Sequence, residues 1–204
     1  MIITKDYEMK PRYMETFSRL KGKVLDIGCY KGKLDIKAIL NGFDVTGIDI
    51  SPNFLKEATQ NAIDSGIEFK CFLESVEDLP NDIKYDTIIM MEVIEHISDP
   101  LQAIKNALEI LNEGGQLLIT TPNGFAHYSP DHINFFFEMK DVELLERLWT
   151  FDMLAHTFRK TATFIDINGL LKNIEYPYEL HVKEWKDSVH PSLDFYIIIK
   201  KVKE

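Results

Sequence analysis

Short β-branched runs recur along the chain at 23–27, 43–48, 67–72, 85–91, 115–121, 161–167 and 194–200, each flanked by polar or glycine-bearing residues. Runs of this length and setting predict strands. Between the early runs the apolar period changes to that of a helix. Ile36, Ile39 and Leu40 form one face, and Gly42 ends it. Ser51-Pro52 offers a cap with proline at the first helical position; Leu55, Ala58 and Ala62 follow as a buried stripe, and Gly66 closes it. Asp99-Pro100 repeats the start signal, and Leu101, Ile104, Leu108 and Leu111 follow at helical spacing. Asn112-Glu113-Gly114-Gly115 reads as a turn. Strand–helix alternation of this kind predicts an α/β fold: a doubly wound, mainly parallel sheet with helices on both faces.

The last third departs from this rhythm. Residues 122–137 read as a Pro/Gly/aromatic loop, and 140–150 as a helix with Leu144, Leu145, Leu148 and Trp149 inward. Residues 170–193 show no clean period and read as an excursion between the last two strands. A helix is expected around Arg12–Leu20, as a cap or lid outside the sheet.

A chain of 204 residues suits one domain, 1–204, with a core of its own. Hydrophobic content of 45% and charged content of 27% are ordinary for a globular protein, so they do not disturb the α/β reading. No apolar run approaches the ~20 residues that span a bilayer, and the first residues lack a signal-peptide layout. Two cysteines, Cys29 and Cys71, suggest a reducing compartment rather than a disulfide framework. The expected location is cytoplasmic. The net charge of −10 makes a nucleic-acid partner an unfavoured reading, because such surfaces need a basic face. Oligomeric state is not legible.

The chemistry concentrates where the first strand, Val24-Leu25-Asp26-Ile27, runs into Gly28-Cys29-Tyr30-Lys31-Gly32, and where the second, Val45-Thr46-Gly47-Ile48, ends in Asp49. Glycines let the main chain approach a ligand, and an acid at the end of the second strand can receive a ribose. The spacing G-x-G-x-x-G of nicotinamide enzymes is absent. Further along lie Phe72-Leu73-Glu74-Ser75-Val76-Glu77-Asp78-Leu79-Pro80, then Tyr85 to Ile97 with Glu92, Glu95 and His96, and finally Gly114 to Asn123.

In this order, these motifs resemble class I S-adenosylmethionine-dependent methyltransferases, notably the group of ubiquinone-biosynthesis and small-molecule O-methyltransferases. The likeness runs from residue 20 to residue 150. It implies a seven-stranded Rossmann-like sheet, mostly parallel, with an antiparallel last strand. It also implies S-adenosyl-L-methionine as cofactor and a small-molecule acceptor, such as a sugar or a quinol-like hydroxyl. By the same resemblance Asp26, Gly28, Tyr30 and Gly32 wrap the methionine end and Asp49 holds the ribose. Ile50, Glu74, Ser75 and Val76 border the adenine, and Met91 stands at the end of the fourth strand. Tyr30 departs from the pattern, since the family usually has glycine there.

Glu95, His96 and His132 are the catalytic candidates. One reading is a general base, with His96 taking a proton from a substrate hydroxyl. Another is a divalent metal held by Glu92, Glu95, His96 and His132. That pattern resembles the Glu-x-x-Glu-His and later histidine of small-RNA 3′-terminal 2′-O-methyltransferases. A third is structural closure of the loop before Asp99-Pro100. Phe125, His127, Tyr128 and Phe135–Phe137 are expected near the same pocket. Acceptor specificity is expected in residues 1–20, 122–137 and 170–193. A non-catalytic adenosylmethionine-binding protein is the remaining alternative.

Overall fold

The computed structural model describes residues 11–79, 82–122, 131–137, 163–174, 178–186 and 193–202. The predicted alternation forms as β1 (Lys23–Ile27), α2 (Lys33–Leu40), β2 (Asp44–Asp49), α3 (Pro52–Asp64), β3 (Lys70–Leu73), β4 (Tyr85–Met91), α4 (Pro100–Glu109) and β5 (Leu111–Pro122). A helix α1 (Pro11–Arg19) precedes them. The later elements are β6 (Asn134–Phe137), β7 (Thr163–Asp166), α5 (Ile167–Leu171), β8 (Tyr178–Lys186) and β9 (Leu193–Lys201).

Seven strands form one sheet in the order β3-β2-β1-β4-β5-β9-β8. β1 pairs in parallel with β2 and β4, β2 with β3, and β4 with β5. β9 runs antiparallel to both β5 and β8, so it alone opposes the rest. This is the expected Rossmann-like sheet with its antiparallel last strand. Alternation along the strands feeds both layers. Val24, Val45 and Ile89 pack with Leu34, Ala38, Leu55, Ala58 and Ala62 of α2 and α3. Leu25, Ile88 and Leu117 pack with Ile104 and Leu108 of α4 on the other face. The helix starts are as the sequence implies. Ser51 accepts the Phe54 N–H at 3.4 Å, and Asp99 accepts the Gln102 N–H at 3.0 Å.

Three expectations change. The run at 161–167 does not enter the main sheet; β7 pairs in parallel with β6 as a separate two-stranded sheet. Its place is taken by β8, within the stretch read as an excursion. Among the described residues β8 is bonded on one side only, and four of its nine residues are charged, which hides its Tyr178, Leu180, Val182 alternation. The expected turn at Asn112–Gly115 lies inside β5, where pairing with β4 shifts register after Tyr85–Leu111. Gly114 takes φ 69° there, so the turn chemistry bends the strand instead of ending it. The predicted helix at 140–150 lies outside the described residues. Among those residues no helix is long and apolar enough to cross a membrane.

Candidate cofactor and active site

The carboxyl ends of β1, β2, β3 and β4 surround a cavity of about 800 Å³, the size of a small-molecule site. The strand order reverses between β1 and β4, so their crossover helices leave a crevice at this end. Asp26, Gly28, Tyr30, Asp49, Ile50, Glu74, Ser75, Val76 and Met91 all line it, as does Phe54. Gly32 does not. It caps α2 in a left-handed conformation, φ 70°, and a Cβ there would press on Phe69 and Ala58 at 3.2 and 3.3 Å. Its role is to let the start of α2 lie close against α3 and Phe69.

The turn after β1 is held by backbone. Gly28 and Cys29 donate to the Ile48 carbonyl at 2.8 and 3.0 Å. Gly28 has φ 77°, and a Cβ on it would meet Val93 Cγ2 at 2.5 Å, so only glycine fits. Tyr30 also takes a positive φ, 51°, as the usual glycine would. Its ring meets Phe54 edge-on at 4.2 Å, and both residues line the cavity.

Asp49 is buried, yet it lines the cavity. One oxygen accepts the Tyr30 N–H at 2.9 Å and the other the Ser51 N–H at 2.8 Å. Each carboxylate oxygen has room for a second hydrogen bond, so the group remains able to receive a vicinal diol. Ile50, 77% exposed, offers an apolar surface beside it. Ser75 is used locally: its hydroxyl accepts the Glu77 N–H at 3.3 Å and contacts the Glu77 carboxylate.

At the end of β4 the chain turns at Glu92, φ 57°, and enters a 3₁₀ turn, Ile94–His96. Glu92 and His96 line the cavity, while Glu95 lies beneath it, 1% exposed. The segment before β6 clamps this turn. Ile133 donates to the Glu95 carbonyl at 3.0 Å, and the Asn134 amide donates to the Ile97 carbonyl at 2.6 Å. Both Glu92 oxygens are engaged, one by the Thr120 hydroxyl at 2.9 Å and one by Arg12 Nη2 at 3.3 Å. That leaves Glu95, His96 and His132 as a cluster whose donor atoms lie within 4.8 Å of one another. The His96 and His132 rings meet edge-on at 5.0 Å.

His96 Nδ1 lies 3.1 Å from the Asp131 carbonyl, which can only accept. The proton of a neutral ring therefore sits on Nδ1, and Nε2 carries the lone pair. Glu95 Oε2 accepts the Thr121 hydroxyl at 3.0 Å; Oε1 is buried without a hydrogen bond among the described residues. Burial, and then the Glu92 charge, push the Glu95 carboxyl well above its ordinary range. His127 and Tyr128 lie outside the described residues. Phe136 belongs to β6 and is fully buried, a core residue and not a pocket wall.

Three participants escaped the sequence reading. Tyr13 reaches the cavity from α1, and Arg12 beside it ties α1 to Glu92. Asp35, in the first turn of α2, is 1% exposed and lies against Asp26. An acid in a first turn looks like an ordinary helix-dipole partner, so the sequence offered no sign of its burial.

The profile of the methyltransferase domain family matches residues 4–177. The ubiquinone biosynthesis O-methyltransferase of Xanthomonas euvesicatoria pv. vesicatoria (strain 85-10) is 36% identical over 114 residues, 54% of this chain and 48% of that protein. Its counterpart in Coxiella burnetii (strain RSA 493 / Nine Mile phase I) is 35% identical over 114 residues, 55% of this chain and 49% of that protein. The chain thus spans about half the length of the curated relatives it matches. A Methanosarcina mazei protein described as a SAM-dependent methyltransferase superposes with a TM-score of 0.62 at 19% identity, over 96% of this chain and 99% of that one. The plantazolicin methyltransferase BpumL, solved in complex with SAH, superposes at 0.63 and 15% identity, over 94% and 80%. At these identities the superpositions show a shared fold. The family match covers most of the chain, and the chain belongs to the methyltransferase domain family, in the class I S-adenosylmethionine-dependent group.

Proposed function

We propose that the protein transfers a methyl group from S-adenosylmethionine to a hydroxyl of a small molecule. The observation that carries this reading is His96: an imidazole on the cavity wall with Nδ1–H fixed on a carbonyl and the lone pair on Nε2, 4.0 Å from Glu95 Oε1. The cavity fits the donor in its chemistry. Asp49 has spare acceptor capacity for ribose hydroxyls, Ile50 and Phe54 give an apolar bed for a purine, and Gly28 lets the backbone pass close. The bound donor supplies a methyl on a cationic sulfur, a charge that is lost on transfer. The chain's own residues orient the acceptor, exclude water and take its proton on His96 Nε2. The curated relatives named as O-methyltransferases favour a hydroxyl acceptor, and the net charge of −10 weighs against RNA.

One observation favours a second version of the chemistry. Glu95, His96 and His132 can offer three ligand atoms to one divalent ion, and Glu95 Oε1 has no hydrogen bond among the described residues. Such an ion would hold the acceptor oxygen and lower its pKa, with His96 as ligand instead of base.

The deciding assay follows isotope-labelled methyl from the donor to catechol, sugar and amine acceptors, with and without chelator. Transfer to hydroxyl acceptors supports the proposal; transfer to amines alone overturns it. Chelator-resistant turnover assigns His96 as base, and loss restored by Mg²⁺ or Mn²⁺ assigns the metal. His96→Ala should lower kcat at least tenfold and leave adenosylhomocysteine affinity unchanged.

A further inference from the structure

The Asp26 carboxyl stands in the cavity wall at the end of β1, and the neighbouring groups acting on it are acids: Asp35 and then Asp49. Asp35 comes from the first turn of α2 and is 1% exposed. Neither of its oxygens has a well-formed hydrogen bond among the described residues; its contact is with Asp26. The other groups that face this point are named from each element around it. From the β1 turn come the buried Cys29 thiol, pushed up by burial and by these same acids, and the Tyr30 ring. From α1 comes the Tyr13 phenol, raised chiefly by burial. From the end of β4 comes Glu92, paired with Arg12. Lys31 pairs outward with Glu57 at 2.8 Å, and Lys33 is exposed.

Two carboxyls in contact inside a buried site cannot both ionise unless a cation joins them. We propose that Asp26 and Asp35 share one proton in the free protein, and that a ligand ammonium docking on Asp26 displaces it. This rests on the adenosyl-ligand reading above, because such ligands carry an ammonium at the amino-acid end. The exchange balances: the proton leaves for solvent, no bond to carbon changes, and the ammonium charge replaces the proton charge beside two carboxylates. Asp35 is then a positioning residue acting through Asp26. It makes the site select ligands with a cationic amino end and makes their affinity depend on pH. Burial supports this, holding Asp35 up to about 7 and Asp26 well above the carboxylate range.

The experiment is calorimetric titration of the full chain with adenosylhomocysteine at pH 7, in two buffers of different ionisation enthalpy, with 5′-methylthioadenosine as the ligand lacking the amino acid. The wild type should release on the order of half to one proton per adenosylhomocysteine, and its Kd should rise by about tenfold per pH unit between pH 7 and 5. Methylthioadenosine should bind with no proton release. Asp35→Asn should bind adenosylhomocysteine with a smaller release and a shallower pH profile, because Asp26 keeps only the part of its shift that burial causes, a change that loss of packing alone does not produce. Binding of adenosylhomocysteine to the wild type without proton release overturns the exchange, as does unchanged release in Asp35→Asn. Binding of neither ligand overturns the adenosyl-site reading itself. Should Asp35→Asn fail to fold, the two wild-type titrations decide alone.

Discussion

The Asp49 carboxylate accepts the Tyr30 backbone N–H at 2.9 Å, so the end of β2 holds the left-handed residue in the turn after β1. One acid thereby shapes the turn and remains open to a ligand. Asp49→Ala leaves the Tyr30 and Ser51 N–H groups without their partner. Losing such a partner costs about 1–3 kcal/mol when the group stays buried, and less where water reaches it. The expected outcome is a lower melting temperature of the free protein and, in addition, loss of most of the stabilisation by saturating adenosylhomocysteine. Thermal melts with and without ligand separate the two. A full ligand shift in the variant refutes the ribose role.

Tyr30 sits at φ 51°, where a side chain strains the backbone, but its ring gains contact with Phe54. Substitution by alanine keeps the strain and loses the ring; substitution by glycine loses both. Tyr30→Gly should therefore be more stable than Tyr30→Ala by about 1 kcal/mol, the left-handed penalty of an ordinary residue. Denaturant unfolding of the two variants reads this difference directly. Equal stabilities would remove the strain argument.

The Asp26–Asp35 pair has a consequence for stability in the ligand-free protein. Both carboxyls are raised, Asp35 to about 7, so the native state keeps a proton that the unfolded chain releases above pH ~4. The pair's contribution is then undiminished below the unfolded pKa, falls as pH rises from about 4 to about 7, and levels off beyond. Asp35→Asn shrinks that slope to what the burial of Asp26 alone leaves. Relative to the parent, the variant should gain stability from pH 5 to pH 8, by a few kcal/mol at most. Melting curves at pH 5, 6, 7 and 8 test the sign.

Arg12 anchors α1 at the cavity through a half-buried ion pair with Glu92, whose φ of 57° adds local strain. Removing the arginine takes the ion pair from one oxygen and leaves the Thr120 hydroxyl on the other. Arg12→Ala should destabilise by about 1–2 kcal/mol, discounted for partial solvent screening. Amide exchange in residues 12–19 should quicken while that in β1 stays slow, because the pair fastens α1 and not the sheet. Uniform acceleration would mean that Arg12 supports the whole fold.

The sheet of the first half was legible because its signals are local. Ser51-Pro52 and Asp99-Pro100 start their helices, and Val24 and Leu25 already carry the alternation that feeds opposite layers. β8 was not legible because, among the described residues, its pairing comes from β9 alone, and an edge strand needs little apolar sequence. That Asp26, Gly28 and Asp49 gather at one cavity was readable from turn chemistry and strand ends. The contacts that set their electrostatics were not. Arg12 meets Glu92, and Asp35 meets Asp26, only after separate elements dock, and no spacing along the chain encodes either meeting.

β9 enters between β5 and β8, and this reverses the order in which the sheet can be finished as the chain is made. β8 leaves the ribosome before the strand that bonds it, and β5 waits with one side open. Phe195, Ile197 and Ile199 then arrive to face one layer, with Tyr196 and Ile198 facing the other. During that interval two ladders of unpaired peptide groups are open to wrong partners, including other nascent chains. The interval ends when a single nine-residue strand docks between them. For this fold, then, a single late strand decides when both open ladders close.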